Sequence, residues 1–126
     1  MIGKEYLSHL SNMGYKYTES DILFIAKDEA GNLVWLEIGN QDSGLMHIIS
    51  HHKDDFANAF GINETEIANY LYNVITHGHL SSQKPSRHKG GFEYVYRYKN
   101  ELYTFVAMGS NGYIVTAFPV HDAGGE

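Results

Sequence analysis

Three imidazoles fall within six residues in the segment Gly44-Leu45-Met46-His47-Ile48-Ile49-Ser50-His51-His52-Lys53-Asp54-Asp55-Phe56. Histidine is the side chain best suited to exchanging protons near neutral pH. On a helix, His47 and His51 share one face about 40° apart, whereas His52 lies about 140° from His47. That places His52 in the apolar stripe of Ile48, Ile49 and Phe56. A histidine there is either packed in the core, donating one ring N–H, or a site residue at the mouth of the core.

The i, i+4 spacing of His47 and His51 also suits a zinc ion, since both rings can reach one metal. The metalloprotease form of that motif needs a glutamate where this chain has Ile48. Third ligands would have to come from Asp54, Asp55, His77 or His79. No cofactor is expected, and zinc stands as the alternative.

Metal-free RNA cleavage needs a base for the 2′-hydroxyl, an acid for the leaving oxygen and donors around the phosphorane. The histidines supply the first two. Arg97 and Lys99 on one strand, and Tyr113 and Thr116 on another, could supply the rest. Each has a plainer reading: Arg97 as partner of a carboxylate such as Glu101, Thr116 as an ordinary strand former, Tyr113 as a core aromatic. Tyr94, Tyr96 and Tyr98, with Tyr103, could stack bases, although such alternation more often marks the core face of a sheet covered by helices. His77, His79 and His88 could touch phosphate or simply face water.

The elements that must hold these residues can be read from periodicity and turn chemistry. A short helix over about Lys4–Asn12, closed by Gly14, precedes strands Ile22–Ala26 and Leu33–Ile38. A helix follows with Leu45, Ile48, Ile49, Phe56 and Phe60 at helical spacing, Ser43 as N-cap and Gly61 as its stop. Asn63 and Glu66, at capping-box spacing, open a second helix with the stripe Ile67, Leu71, Val74 and Ile75, ending at Gly78. A loop over Ser81–Gly91 then leads into strands Phe92–Lys99, Leu102–Met108 and Tyr113–Pro119. Asn100-Glu101 and Gly109-Ser110-Asn111-Gly112 form the turns between them. Tyr113, Val115 and Ala117 are expected on one face of the last strand, and Ile114, Thr116 and Phe118 on the other. The class is α+β, with helices packed on a mainly antiparallel sheet.

The chain has 126 residues, 43% hydrophobic and 19% charged, which fits a single globular domain over 1–126 with its core between about 20 and 120. The absence of cysteine excludes disulfides, thiol nucleophiles and thiolate metal sites. No apolar run approaches the roughly 18 residues of a membrane helix, so no membrane span is expected. Met1–Leu10 carries Lys4, Glu5 and His9 and does not read as a secretory signal. The net charge of -6 is unevenly spread. Residues 1–66 hold 4 basic and 11 acidic side chains, whereas Lys84, Arg87, Lys89, Arg97 and Lys99 stand against Glu93 alone. Overall acidity disfavours nonspecific polyanion binding, but the basic stretch could seat one short piece of nucleic acid.

The helix segment Gly44–Phe56, followed by Gly61-Ile62 and a helix, and the late hairpin Asn111-Gly112-Tyr113-Ile114-Val115-Thr116-Ala117-Phe118-Pro119 together resemble ribonuclease toxin domains of the barnase–EndoU–colicin–RelE (BECR) class. The resemblance covers roughly Trp35 to Pro119. It implies a BECR-like fold, metal-independent cleavage of RNA (tRNA at family level) and a cognate immunity protein. It also implies release from a larger secreted toxin that acts in the cytoplasm of a target cell. Carried over by position, His47 matches the first motif histidine, and His52 the second by the register of Asp55-Phe56. Arg97 matches the strand basic residue and Thr116 the hydroxyl of the last strand. His51 remains the rival second histidine on helical-wheel grounds. Tyr113 completes the catalytic set, and Lys89, Lys99 and Asn111 are the expected substrate contacts.

Overall fold

The computed structural model describes residues 21–86, 90–99 and 102–122. The expected N-terminal helix, His88, Lys89 and the Asn100-Glu101 turn lie outside the described residues. Elements run β1 (Ile22–Lys27), β2 (Leu33–Glu37), α1 (Leu45–Phe60), a 3-10 turn (Glu64–Glu66), α2 (Ile67–His77), β3 (His79–Pro85), β4 (Phe92–Tyr98), β5 (Leu102–Met108) and β6 (Ile114–Val120). The protein is α+β, two helices packed on antiparallel sheets. β1 and β2 form a hairpin, and β3-β4-β5-β6 form a four-stranded antiparallel meander. A parallel bridge between Trp35 and Tyr113 joins the two. Among the described residues no helix is long and apolar enough to cross a membrane.

The larger of two hydrophobic clusters among the described residues fills the space between helices and sheets, and a smaller one gathers Ile22, Ile25 and Trp35. The larger combines Phe24 and Leu36 of the hairpin, Ile48 and Phe56 of α1, Leu71, Val74 and Ile75 of α2, and Tyr94, Tyr96, Val106 and Ala117 of the meander. The tyrosine face of β4 is therefore a core face, as alternation beneath helices suggests. The Tyr96 and Tyr70 hydroxyls are paired inside the core. Tyr96 donates its hydroxyl to Asp28 Oδ2 at 2.8 Å, and Tyr70 and Thr104 share a hydrogen bond of 2.9 Å. Burial pushes the Tyr70 phenol up to about 12. It also raises the Tyr96 phenol, helped by the Asp28 charge, so both remain neutral donors.

Helix boundaries follow glycine and capping chemistry. Gly61 adopts the left-handed conformation after α1, its N–H bonding the Ala57 carbonyl while Ile62 N–H reaches Phe56. Asn63 and Glu66 form the expected capping box before α2. The start of α1 differs from expectation. Gly44, not Ser43, occupies the cap position, with φ 83 and ψ -163. A Cβ there would meet Gly39 Cα at 2.9 Å and the Glu37 carbonyl at 3.0 Å, so only glycine lets the chain turn into the helix so close to β2. The Ser43 hydroxyl pairs instead with Tyr113.

Two strand expectations are also corrected. The first part of the expected Ser81–Gly91 loop belongs to strand β3, which pairs with β4 from His79↔Arg97 to Pro85↔Phe92 with a register shift between Leu80 and Ser82. It is an exposed, polar edge, and it carries no apolar alternation because it has no buried face to fill. In β6 a register shift admits Val115 as an extra residue between the Ile114 and Thr116 pairings. Ile114 and Ala117 therefore both point into the core, while Thr116 and Phe118 lie on the opposite face.

Candidate active site

α1 runs alongside the edge strand β6 and in the same direction. Gly44 N–H donates to the Val115 carbonyl at 3.0 Å, and further along the His52 ring rests on Phe118 with centroids 4.8 Å apart. Phe118 is itself held by stacking on Phe105 at 4.6 Å. Along this groove the three imidazoles converge. Ring centroids are 4.5 Å apart for His47 and His51, 6.2 Å for His47 and His52, and 6.3 Å for His51 and His52. The helical-wheel pair and the motif pair thus belong to one cluster, because His52 leans across β6 instead of into the core.

Two of the three rings are anchored through Nδ1. His47 donates from Nδ1 to the Gln41 carbonyl at 2.8 Å. The loop before α1 presents that carbonyl. Asn40 Oδ1 accepts from Asp42 N–H at 2.8 Å and Ser43 N–H at 3.2 Å, and Asn40 N–H closes onto the Ser43 carbonyl. His52 donates from Nδ1 to Asp55 Oδ2 at 2.9 Å, one helical turn on. A carbonyl and an ionised carboxylate can only accept. Each neutral ring therefore carries its hydrogen on Nδ1 and leaves the Nε2 lone pair for a substrate proton. His51 is exposed at the outer side of the cluster.

Tyr113 and Ser43 share one hydrogen bond of 2.9 Å at the foot of α1. Two hydroxyls with one bond between them keep one proton free to donate. Tyr113 is fixed from its other side by the Trp35 ring at 5.3 Å. Thr116 sits at the level of His47: from the Gly44–Val115 bond, His47 is about 4.5 Å up the helix and Thr116 about 3.3 Å up the strand. Its Oγ1, however, is enclosed and has no hydrogen-bond partner among the described residues. A hydroxyl shut from solvent does not present itself to a substrate, so the expected donor role of Thr116 is corrected.

Arg97 does not join the cluster. It pairs with Tyr103, which pairs with Val120, whereas Thr116 lies four residues back along β6. At about 4.8 Å per strand and 3.3 Å per residue, the Cα atoms of Arg97 and Thr116 are about 16 Å apart. Arg97, matched by resemblance to the strand basic residue of the catalytic set, thus stands apart from His47 and Thr116. Its neighbours are His79, opposite it on β3, and Glu29, whose carboxyl its charge helps hold below the usual range. Lys99 lies at the end of β4 with its ammonium 5.5 Å from the Tyr98 ring centroid. Asn111 belongs to the β5–β6 turn, where its Oδ1 accepts from Tyr113 N–H. No three His, Asp or Glu side chains among the described residues group as metal ligands, so Asp54, Asp55, His77 and His79 do not complete a site with His47 and His51.

Three contributors were not visible as such in the sequence. Gln41 acts through its backbone, Phe118 was expected only as part of one face of the last strand, and Ser43 was expected as a helix cap. The His52–Asp55 spacing was the one legible signal. No protein-family model and no curated protein matches this chain.

Proposed function

We propose that this protein is a metal-independent endoribonuclease with a BECR-like fold, cleaving RNA by histidine-assisted transesterification. The observation that carries the reading is the pair of imidazoles, His47 and His52, each held by a pure acceptor on Nδ1 and each with Nε2 unengaged by the described residues. His47 Nε2 takes the proton of the 2′-hydroxyl as that oxygen forms its bond to phosphorus. The bond from phosphorus to the 5′-oxygen breaks, and protonated His52 delivers its Nε2 hydrogen to the leaving oxygen. The products are a 2′,3′-cyclic phosphate and a 5′-hydroxyl end. Charge on the phosphorane is met by His51 and the spare proton of the Tyr113–Ser43 pair. Arg97 and Lys99 attract the polyanion from a distance without touching the reacting atoms.

By resemblance, the substrate is tRNA, the domain travels in a larger secreted toxin to the cytoplasm of a target cell, and a cognate immunity protein blocks it. The test is incubation with total cellular RNA, with and without EDTA, and analysis of product ends. Cleavage that survives chelation and yields cyclic phosphates supports the reading, and zinc-restored activity overturns it.

A second reading is a binding module with structural histidines. It is favoured by the separation of Arg97 from the cluster and by the packing of His52 on Phe118. Absence of cleavage by the intact protein selects it.

A further inference from the structure

A cleft of about 350 Å³ lies on the other side of the β5–β6 turn from the histidines. The β1–β2 turn closes its opposite side, and the start of β4 floors it. The two turns are tied to each other. Trp35 N–H bonds the Gly112 carbonyl at 2.9 Å, and the Trp35 indole N–H bonds the Asn111 carbonyl at 3.0 Å. Gly112, at φ 91, packs so closely on the Leu33 carbonyl that no Cβ fits. The walls are therefore preformed rather than drawn together by a ligand.

The lining mixes apolar side chains with polar ones, among them Lys27, Asn32, Ser110 and Asn111, and small-molecule sites use such polar groups to fix a ligand's orientation. Phe92 is partly exposed and packs on the buried Tyr94 ring, with centroids 5.9 Å apart and a tilt of 31°. Tyr94 is only 3% exposed, yet its hydroxyl has no hydrogen-bond partner among the described residues and is not sealed in. A buried phenol usually finds a partner. Burial and the charge of Asp28 both raise this phenol above its ordinary range, so it stays a donor. Asn111 has its Oδ1 committed to Tyr113 N–H, which leaves its amide hydrogens. Asn32 has given its amide hydrogen to Asp28, which leaves its Oδ1 as an acceptor.

We propose that this cleft binds a single nucleobase. Two donors and an acceptor beside the partly exposed Phe92 ring match a planar ring with a mixed polar edge, and single-stranded RNA is read by edge contacts and stacking of this kind. The volume sits at the low end for ligand sites, enough for one base and its sugar and too small for a stacked pair. Assigning the base to an RNA chain rests on the ribonuclease reading; the pocket itself does not.

The test is calorimetric titration of the full chain with the four nucleoside 5′-monophosphates and with ribose 5-phosphate. At least one nucleotide is expected to bind saturably and ribose 5-phosphate not to bind. Tyr94→Phe, which removes one unpartnered hydroxyl and leaves the ring, is expected to weaken binding roughly 3- to 10-fold. Equal binding of ribose 5-phosphate, no binding of any nucleotide, or unaltered affinity of Tyr94→Phe overturns the proposal. Nucleotide binding without RNA cleavage leaves the cleft assignment standing and removes the ribonuclease reading. Displacement of the bound nucleotide by a single-stranded RNA oligomer supports the assignment to an RNA chain, and failure to displace it overturns that assignment.

Discussion

His52 and His79 both donate from Nδ1 to a carboxylate, at 2.9 Å and 3.1 Å, but the two pairs sit in different kinds of surroundings. The partner of His52 is Asp55, three residues away on the same helix. The partner of His79 is Glu29, fifty residues back, in the turn between β1 and β2. Glu29 also accepts the Leu80 N–H at 2.7 Å, and its neighbour Asp28 accepts from Ala30 N–H, Asn32 N–H, the Asn32 amide and the Tyr96 hydroxyl. The β1–β2 turn is thus a knot that fastens the small hairpin to the meander, and its two carboxylates are taken up in doing so. The α1 cluster is local and half-open, and each anchored ring keeps one nitrogen unengaged by the described residues. Proton transfer can be carried where the fold does not depend on the residues involved.

The sharpest way to break that contrast is to remove the unengaged nitrogens. His47→Ala, and separately His52→Ala, are expected to lower RNA cleavage by about 10²- to 10⁴-fold, the range of general acid–base contributions. Their thermal unfolding midpoints should stay close to that of the parent. If either variant cleaves normally, or unfolds before it can be assayed, the division of labour proposed here is wrong.

The opposite outcome is expected in the knot. Asp28 is 6% exposed and takes four donors, so Asp28→Ala leaves the Tyr96 hydroxyl and three N–H groups without their partner. The expected cost is about 3 kcal/mol or more of folding stability, measured by urea unfolding. Cleavage per folded molecule should be preserved under conditions where the variant remains native.

A smaller and more graded effect separates Glu29 from the cluster. The Leu80 N–H first, and the hydrogen bond from His79 next, hold the Glu29 carboxyl below its ordinary value of 4.5. The native state therefore binds this proton less readily than the unfolded chain. Its contribution is complete above the ordinary value and fades as pH falls through the lower native value. Unfolding followed from pH 6 to pH 3 should show a shallower acid-side loss in Glu29→Gln than in the parent. Identical slopes would show that this contact does not couple to folding.

The same contrast explains what the sequence could disclose. The cluster was legible because its spacing is helical: i, i+4 and i, i+5 on an apolar-striped segment already put the rings near one another. Gly61, the Asn63–Glu66 box and the tyrosine face of β4 were legible for the same reason, since each is a local rule. The knot was not, because nothing in Lys27-Asp28-Glu29 announces a partner on β3 or β4. The position of Arg97 depended on strand register, which a one-residue bulge at Val115 and an edge strand without apolar alternation both disguised. The Tyr94 cleft needed two turns about eighty residues apart to meet across Gly112 and Leu33.

Thr116 gives the smallest effect and tests the boundary between the two kinds of region. It stands beside the cluster at the level of His47, yet its hydroxyl is enclosed and unpartnered, so it has neither an open route to substrate nor a structural bond to lose. An unsatisfied buried hydroxyl carries a desolvation cost that an isosteric methyl does not. Thr116→Val is therefore expected to leave stability unchanged or to raise it by up to about 1 kcal/mol, with cleavage within roughly threefold of the parent. Urea unfolding and the RNA cleavage assay on one preparation read both quantities. A drop of tenfold or more in cleavage at unchanged stability would mean that the hydroxyl becomes exposed during turnover. The catalytic groove would then extend from the helix onto the face of β6.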